Sequence, residues 1–549
     1  MPPTNRHALI LYALLALASL AAACSGTHAT SASNGYQVET LVAGGPLHGA
    51  KGITFGPDGY LYVCSVYAQK IYRVDVSTGD VSVAVGAPHG ESDDVAFGPD
   101  GLMVWSALPS AELRARYNDG EPFVMAAKLP LINPVGFTDD GRLFVAQIGI
   151  DRFLEVDVSG EQPPRLVAKG IGHLNSFDIT ADDQLYGPLA GIGTLTRIDL
   201  ATGELTAVAT GQDTLSAVEL DADGQIYAVG WNTGELLRFD ADTGAATLIS
   251  TLEPPLDNLA INADGIYISQ PAAGRIVLVN PDTGAQNIVV PGNLGIPGGL
   301  ALTTVDGHET LLVADDFAFR WVDTDTGRVW ATADLADFMD PSSASDVAIN
   351  DAVIVLSDVS KSRVYMLDRA TGEKIQQWRG LDTPYGLVLR ANGDPLVAEF
   401  GSGQLVQLKQ DDRKARDIVA SGLDGPVDIV WADDASVYVT EATAGTVARI
   451  DITSGAKTII AAGLNQPEGL TLIAGGQLVV VEAGAQQLTQ IDPATGATTV
   501  LADKLPINAV VPAAPGPVYV PTGVVADSNG TLYISSDREH SVLRLVPGQ

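Results

Sequence analysis

The chain repeats itself. From Tyr36 onward one pattern returns about every 41 residues, and a period of that length belongs to folds made by stacking copies of one unit. A clear copy starts at Pro467-Glu468-Gly469-Leu470-Thr471-Leu472. It continues through a glycine-rich turn, apolar runs at 477–482 and 487–492, a turn ending at Gly496 and a last run at 498–501. Gly-Pro-Asp-Gly at 56–59 and 98–101 marks the first hairpin of a copy. Asp-x-x-Thr-Gly marks the third turn at Asp75–Gly79, Asp199–Gly203, Asp240–Gly244, Asp323–Gly327 and Asp368–Gly372. Asp bends these corners by bonding to its own backbone, and Gly supplies positive φ. Four short strands rich in Val, Ile, Leu and Tyr per copy define the blade of a β-propeller. A β-helix has shorter repeats, and a helical solenoid needs a 3.6-residue period that is absent. The expected fold is all-β, with twelve four-stranded blades.

Twelve blades fit two six-bladed rings in tandem better than one ring. The last copy stops at Leu543–Gln549 after its third strand, while residues 36–44 form a fourth strand with no blade before it. Pairing such a strand with a final blade removes two free edges. In one arrangement residues 36–44 close the first ring, which ends after 276–280, and residues 287–291 close the second. In the other, the N-terminal strand crosses over to the second ring. The first arrangement divides the chain into a signal peptide at 1–23, a tether at 24–35, one propeller at 36–283 and another at 284–549.

The N-terminus carries targeting chemistry. Arg6 and His7 precede an apolar stretch from Ala8 to Ala22, too short to span a bilayer comfortably. Ala21-Ala22-Ala23-Cys24-Ser25 resembles a bacterial lipobox, which would make Cys24 the lipidated new N-terminus. Ser25 behind it points to the outer membrane in a Gram-negative cell. Gly26 to Gly35 reads as a flexible tether. The expected location is the cell envelope, with membrane contact only through the lipid. With 31 Lys and Arg against 66 Asp and Glu, the net charge of −35 repels phosphate backbones and argues against nucleic-acid binding. The two cysteines, Cys24 and Cys64, exclude a disulfide framework. Cys64, within Leu61-Tyr62-Val63-Cys64-Ser65, reads as a small buried residue rather than a nucleophile.

Each innermost strand starts at one mouth of the central channel, so the first residue of each copy contributes to a ring of side chains. In the first half that ring is Lys51, Asp93, Asn133, Asn175, Ser216 and Asp257; in the second it is Gly298, Ser345, Tyr385, Val427, Glu468 and Thr522. Asp93, Asn133, Asn175 and Asp257 bring carboxylate and amide oxygens to one mouth, a set suited to Ca²⁺ or another hard divalent cation. Asp94 and Asn258 stand next in line. His48, His89 and His173 precede first-half positions by a few residues and are candidate general bases near a metal-bound water. The second half offers Glu468, with Asp346 and Asp428 one step inward. Gly-x-Ser-x-Gly, His-Glu-x-x-His and P-loop motifs are absent.

The Pro-x-Gly-apolar start, the Gly-Pro-Asp-Gly turn and the following Leu-Tyr-Val run resemble the NHL and SMP-30/gluconolactonase-like six-bladed propellers, twice over from Tyr36. In the SMP-30 family, Glu and Asn or Asp at inner-strand starts hold one divalent metal that activates water for lactone hydrolysis. The resemblance implies Asp93, Asn133, Asn175 and Asp257 as ligands, and it matches Glu468 to the family glutamate in the other ring. Two functions are expected: a binding module that holds a small molecule or protein at the ring mouths, or a metal-dependent hydrolase or lyase in the first ring.

Overall fold

The computed structural model describes residues 35–316, 318–334, 343–509 and 520–548. Cys24, the signal peptide and most of the tether lie outside the described residues. The chain forms twelve four-stranded antiparallel sheets, here called blades 1 to 12 in order of their innermost strands. Those strands neighbour one another cyclically in two groups of six. Ring one runs from Ile53–Phe55 to Leu259–Asn262, and ring two from Pro297–Val305 to Val524–Ala526.

Burial follows strand position. Second strands such as Leu61–Ser65, Leu102–Ala107 and Val353–Asp358 are buried at every residue, because each is sandwiched between neighbouring blades. Third strands are mixed, as in Glu235–Phe239, where Leu236, Leu237 and Phe239 are buried and Glu235 and Arg238 half-buried. Outermost strands, such as Leu205–Thr210, are mostly exposed. Core clusters therefore lie between blades rather than on the ring axis. The Asp-x-x-Thr-Gly corner works as expected. At Asp199 the Oδ1 atom accepts from the amides of Ala201 and Thr202 at 3.0 and 2.8 Å, and Gly203 has φ +72°.

A second device ties the innermost strands together. The Asp94 carboxylate accepts from the amide of Val135 on the next blade at 3.0 Å. Asp346 does the same to Leu387 at 2.9 Å, and Asp428 to Leu470 at 2.7 Å. These carboxylates are inter-blade staples, so the acidity one step inward of the mouth serves the ring itself. The approach is close: a Cβ on Gly299 would lie 1.8 Å from Asp346 Oδ1 and 2.5 Å from its Cα.

The strand pairing corrects the first expected closure and its 283/284 boundary. Tyr36–Val42 pairs antiparallel with Ser541–Pro547 and completes blade 12. Gln286–Val290 pairs with Arg275–Val279 and completes blade 6. The crossover arrangement is the one observed, and packing explains why. Val42 is buried in a ring-two cluster with Leu300, Val313 and Tyr533, and Glu39 pairs with Arg544 at 2.7 Å. Val290 is buried with Leu47, Ile53, Leu61 and Tyr267, where blade 6 meets blade 1. Ring one thus closes without a sheet shared between its ends, blade 6 packing face to face on blade 1. It is inserted between the first strand of ring two and the remainder of that ring.

Candidate functional site: the cleft between the rings

The mouth of ring one is held by a buried cation. Lys51 Nζ lies 3.7 Å from Asp257 Oδ1 and 5.2 Å from the centroid of the Trp231 ring. Burial works against the ammonium, yet Asp257, then Asp93 and Asp316, outweigh it and hold the Lys51 pKa above its ordinary value. Burial likewise raises the Asp93 and Asp257 carboxyls, against the pull of Lys51. Asp316 belongs to ring two. Its carboxyl accepts from Ser343 Oγ at 2.7 Å and from the Tyr67 hydroxyl of ring one, and burial lifts it to about 6. The mouth of one ring is therefore wired to the second ring through Lys51, Tyr67 and Asp316.

The four residues expected to bind metal share this mouth in a different arrangement. Asn133 Nδ2 donates to Asn175 Oδ1 at 2.9 Å, and Asn175 Nδ2 donates to the Ser216 carbonyl at 2.9 Å. Two amides are thus bonded within the ring wall, while the two carboxylates are paired electrostatically with the Lys51 ammonium. Among the described residues no three His, Cys, Asp or Glu side chains are placed to hold a metal ion.

The three histidines do not converge. His89 is exposed, and its carbonyl accepts from the Trp105 indole at 3.0 Å. His173 sits on blade 4 with φ +61°, its amide bonded to Asp151 Oδ1 at 3.1 Å. Only His48 reaches the inter-ring cleft. Its ring stacks on His540 of ring two, centroids 3.6 Å apart and planes 15° apart. Burial first, then His540 and Lys70, push the His48 pKa down to about 2. An imidazole that weakly basic is a poor proton acceptor near neutrality. Burial also lowers His540, to about 4, against the bond its Nδ1 makes with the Gly295 carbonyl.

Beside this stack lies a cavity of about 630 Å³. Ring one contributes His48, Tyr67 and Lys70; ring two contributes Asn508, Asp537, Arg538 and His540. Pockets of this kind favour domain junctions. The Asp537 carboxyl is lifted to about 6, chiefly by burial; one oxygen accepts from the Ala509 amide at 2.7 Å, and the other has no partner among the described residues. Among the described residues neither Lys70 nor Arg538 forms an ion pair. Glu468, in the mouth of ring two, accepts from the Thr522 amide at 2.8 Å; burial and Asp537 raise it to about 8. Cys64 is buried and free, and burial raises its thiol well above the ordinary value, which fits its structural reading.

Inspection of inner-strand starts did not reveal Tyr67, Lys70, Trp231, Asp316, Asp537, Arg538 or His540. All of them lie in or beside the loops joining second to third strands, which share the mouth face with the inner-strand starts. Their sequence signal is positional: a loop joining second to third strand recurs at the same place in each copy.

Fold and site together define a protein built of tandem six-bladed β-propellers with its polar cleft at the junction of the two rings. By its sequence the chain belongs to the family described as outer membrane protein assembly factor BamB, whose model matches residues 222–500. No curated protein matches it in sequence. Among solved structures it is similar to virginiamycin B lyase from Staphylococcus aureus, at 13% identity and TM-score 0.29, covering 69% of this chain and 96% of the other. A catalytically inactive form of that lyase with quinupristin gives 13% and 0.30 over 60% and 94%. A nidogen/laminin complex gives 16% and 0.37 over 41% and 98%. Among the described residues no helix is long and apolar enough to cross a membrane.

Proposed function

We propose that this chain is a binding protein of the cell envelope, tethered by lipid at Cys24, that holds an anionic group of a small molecule or partner protein in the cleft between its rings. One observation carries the reading. In a chain of net charge −35, Lys70 from one ring and Arg538 from the other flank a single cavity, and neither is in an ion pair among the described residues. Lys70 is half-buried and Arg538 exposed, and cations free of a protein partner recognise carboxylate or phosphate by charge-assisted hydrogen bonds. The family description, an outer membrane protein assembly factor, supports an envelope location and a protein-binding role. Calorimetry with a panel of carboxylates and phosphates tests it: binding by the native chain should be lost in K70A/R538A, and equal binding by that variant would end the proposal.

The metal-dependent, SMP-30-like hydrolase reading rests on Asp93, Asn133, Asn175 and Asp257 sharing one mouth, and it requires Lys51 to give up its place. Titration with Ca²⁺, followed by a lactone and ester screen with and without chelator, decides it. No binding heat and no chelator-sensitive activity would remove that reading.

A further inference from the structure

Far from the mouths, at the perimeter of ring two, a groove of about 670 Å³ opens between the outermost strands of two adjacent blades. Its walls are Lys374–Arg379 of blade 8 and Asp412–Ser421 of blade 9. The floor is apolar and well buried: Trp378, Leu381 and Leu408 are each 2% exposed or less. Three bonds between the blades brace it. Gln376 Nε2 donates to the Gln410 carbonyl at 2.9 Å, Trp378 Nε1 to the Lys409 carbonyl at 3.2 Å, and Arg416 Nη1 to the Gly380 carbonyl at 2.8 Å.

The charge of this groove runs against that of the whole molecule. Five cationic side chains line it and no carboxylate does, although acidic residues outnumber basic ones 66 to 31. Arg416 is neutralised by Glu399. Lys374 lies 5.4 Å over the Tyr365 ring. Among the described residues Lys374, Arg379, Arg413 and Lys414 form no ion pair. Each wall strand is hydrogen-bonded on one side only, so each presents a free main-chain edge.

We propose that this groove seats an extended acidic segment of a partner protein, with carboxylates on Lys374, Arg379, Arg413 and Lys414 and main chain along a strand edge. Recognition of this type takes affinity from main-chain bonds and selectivity from alternate side chains. The geometry favours a peptide over other anions. Arg413 to Arg416 alone spans about 10 Å of strand, and further cations stand on the opposite wall, more than one phosphate can reach. The site is a concave groove between two strand edges with Trp378, Leu381 and Leu408 sunk in its floor and, of its apolar lining, only Ile375 exposed on a wall, unlike an apolar face that lies flat on a bilayer.

The test uses fluorescence anisotropy of a labelled decapeptide alternating Glu and Val, with a Gln/Val peptide as the neutral control. The native chain should bind the acidic peptide, more weakly as salt rises, and ignore the control. R413E/K414E, whose side chains are exposed, should keep its melting temperature and weaken binding by about tenfold or more. Equal binding by both proteins, or none by either, overturns the proposal. So does loss of anionic-vesicle sedimentation in the variant with peptide binding unchanged, which would assign the groove to lipid. Full competition by inorganic phosphate would reduce the groove to a simple anion site and overturn it too.

Discussion

Replacing Lys51 by Met removes the charge from the mouth of ring one while keeping most of the side-chain volume. At 3.7 Å and an effective dielectric near 20, the attraction lost with Asp257 alone is about 4.5 kcal/mol. The protein has an escape, because Asp257 can fold protonated. Burial already holds the Asp257 carboxyl at about 6 in the folded chain, so that costs about 1.4 kcal/mol at pH 7 and nothing further at pH 5. The penalty carried through Asp257 is therefore capped near those figures and shrinks as pH falls. Urea denaturation of K51M and the native chain at both pH values measures it. Trp231, packed against the Lys51 ammonium, reports ring one by fluorescence. A loss that is the same at pH 5 and pH 7 would mean that only packing was removed, and it would refute the electrostatic account. No loss at pH 7 would show that the ammonium is solvated rather than paired.

Three further outcomes follow from the same structure. Burial raises Asp94 to about 7, Asp316 and Asp537 to about 6 and Glu468 to about 8, so the folded chain binds more protons than the unfolded one between about pH 4 and pH 8. The stability these groups contribute is present below about pH 4 and lost as pH rises through 6 to 8; melting should be higher at pH 5 than at pH 8.5, and E468Q should flatten the upper part of that curve. Deleting Tyr36–Val42 should destabilise ring two and spare ring one, read by limited proteolysis that leaves a resistant ring-one fragment. G299A should cost about 1–3 kcal/mol in denaturation, because its methyl would meet the Asp346 carboxylate at 1.8 Å and its Cα at 2.5 Å.

Much of the architecture was legible because local chemistry and global fold agree. Asp199 and its Gly203 corner repeat from blade to blade, and the apolar runs between corners are the strands. The closing strand was not legible in the same way. Residues 36–44 and 287–291 are both acceptable outermost strands, and either pairing satisfies the count of four per blade. Long-range packing decides between them, through Val42 against Leu300 and Glu39 against Arg544, and no local pattern reports that. The site was half legible. The polar ring beginning at Lys51 is real, but the pairing of its members, Lys51 with Asp257 and Asn133 with Asn175, depends on their approach in space, which no local pattern reports. The cleft with His540 and Arg538 depends on which loops of one ring face the other. The strand count is silent on that.

The pairing of the first strand with the last also orders events in time. Ring one holds all six of its blades by Val290 and needs nothing from downstream. Ring two has lacked a partner for its opening strand since the start of the chain, and Glu39 meets Arg544 only across a separation of 505 positions. A product cut short anywhere beyond ring one would carry one finished propeller and one unpaired strand edge, the kind of surface that recruits other chains. The Ser541–Pro547 strand therefore acts as a completeness check, and only a chain translated through it can pair the edge of Tyr36–Val42.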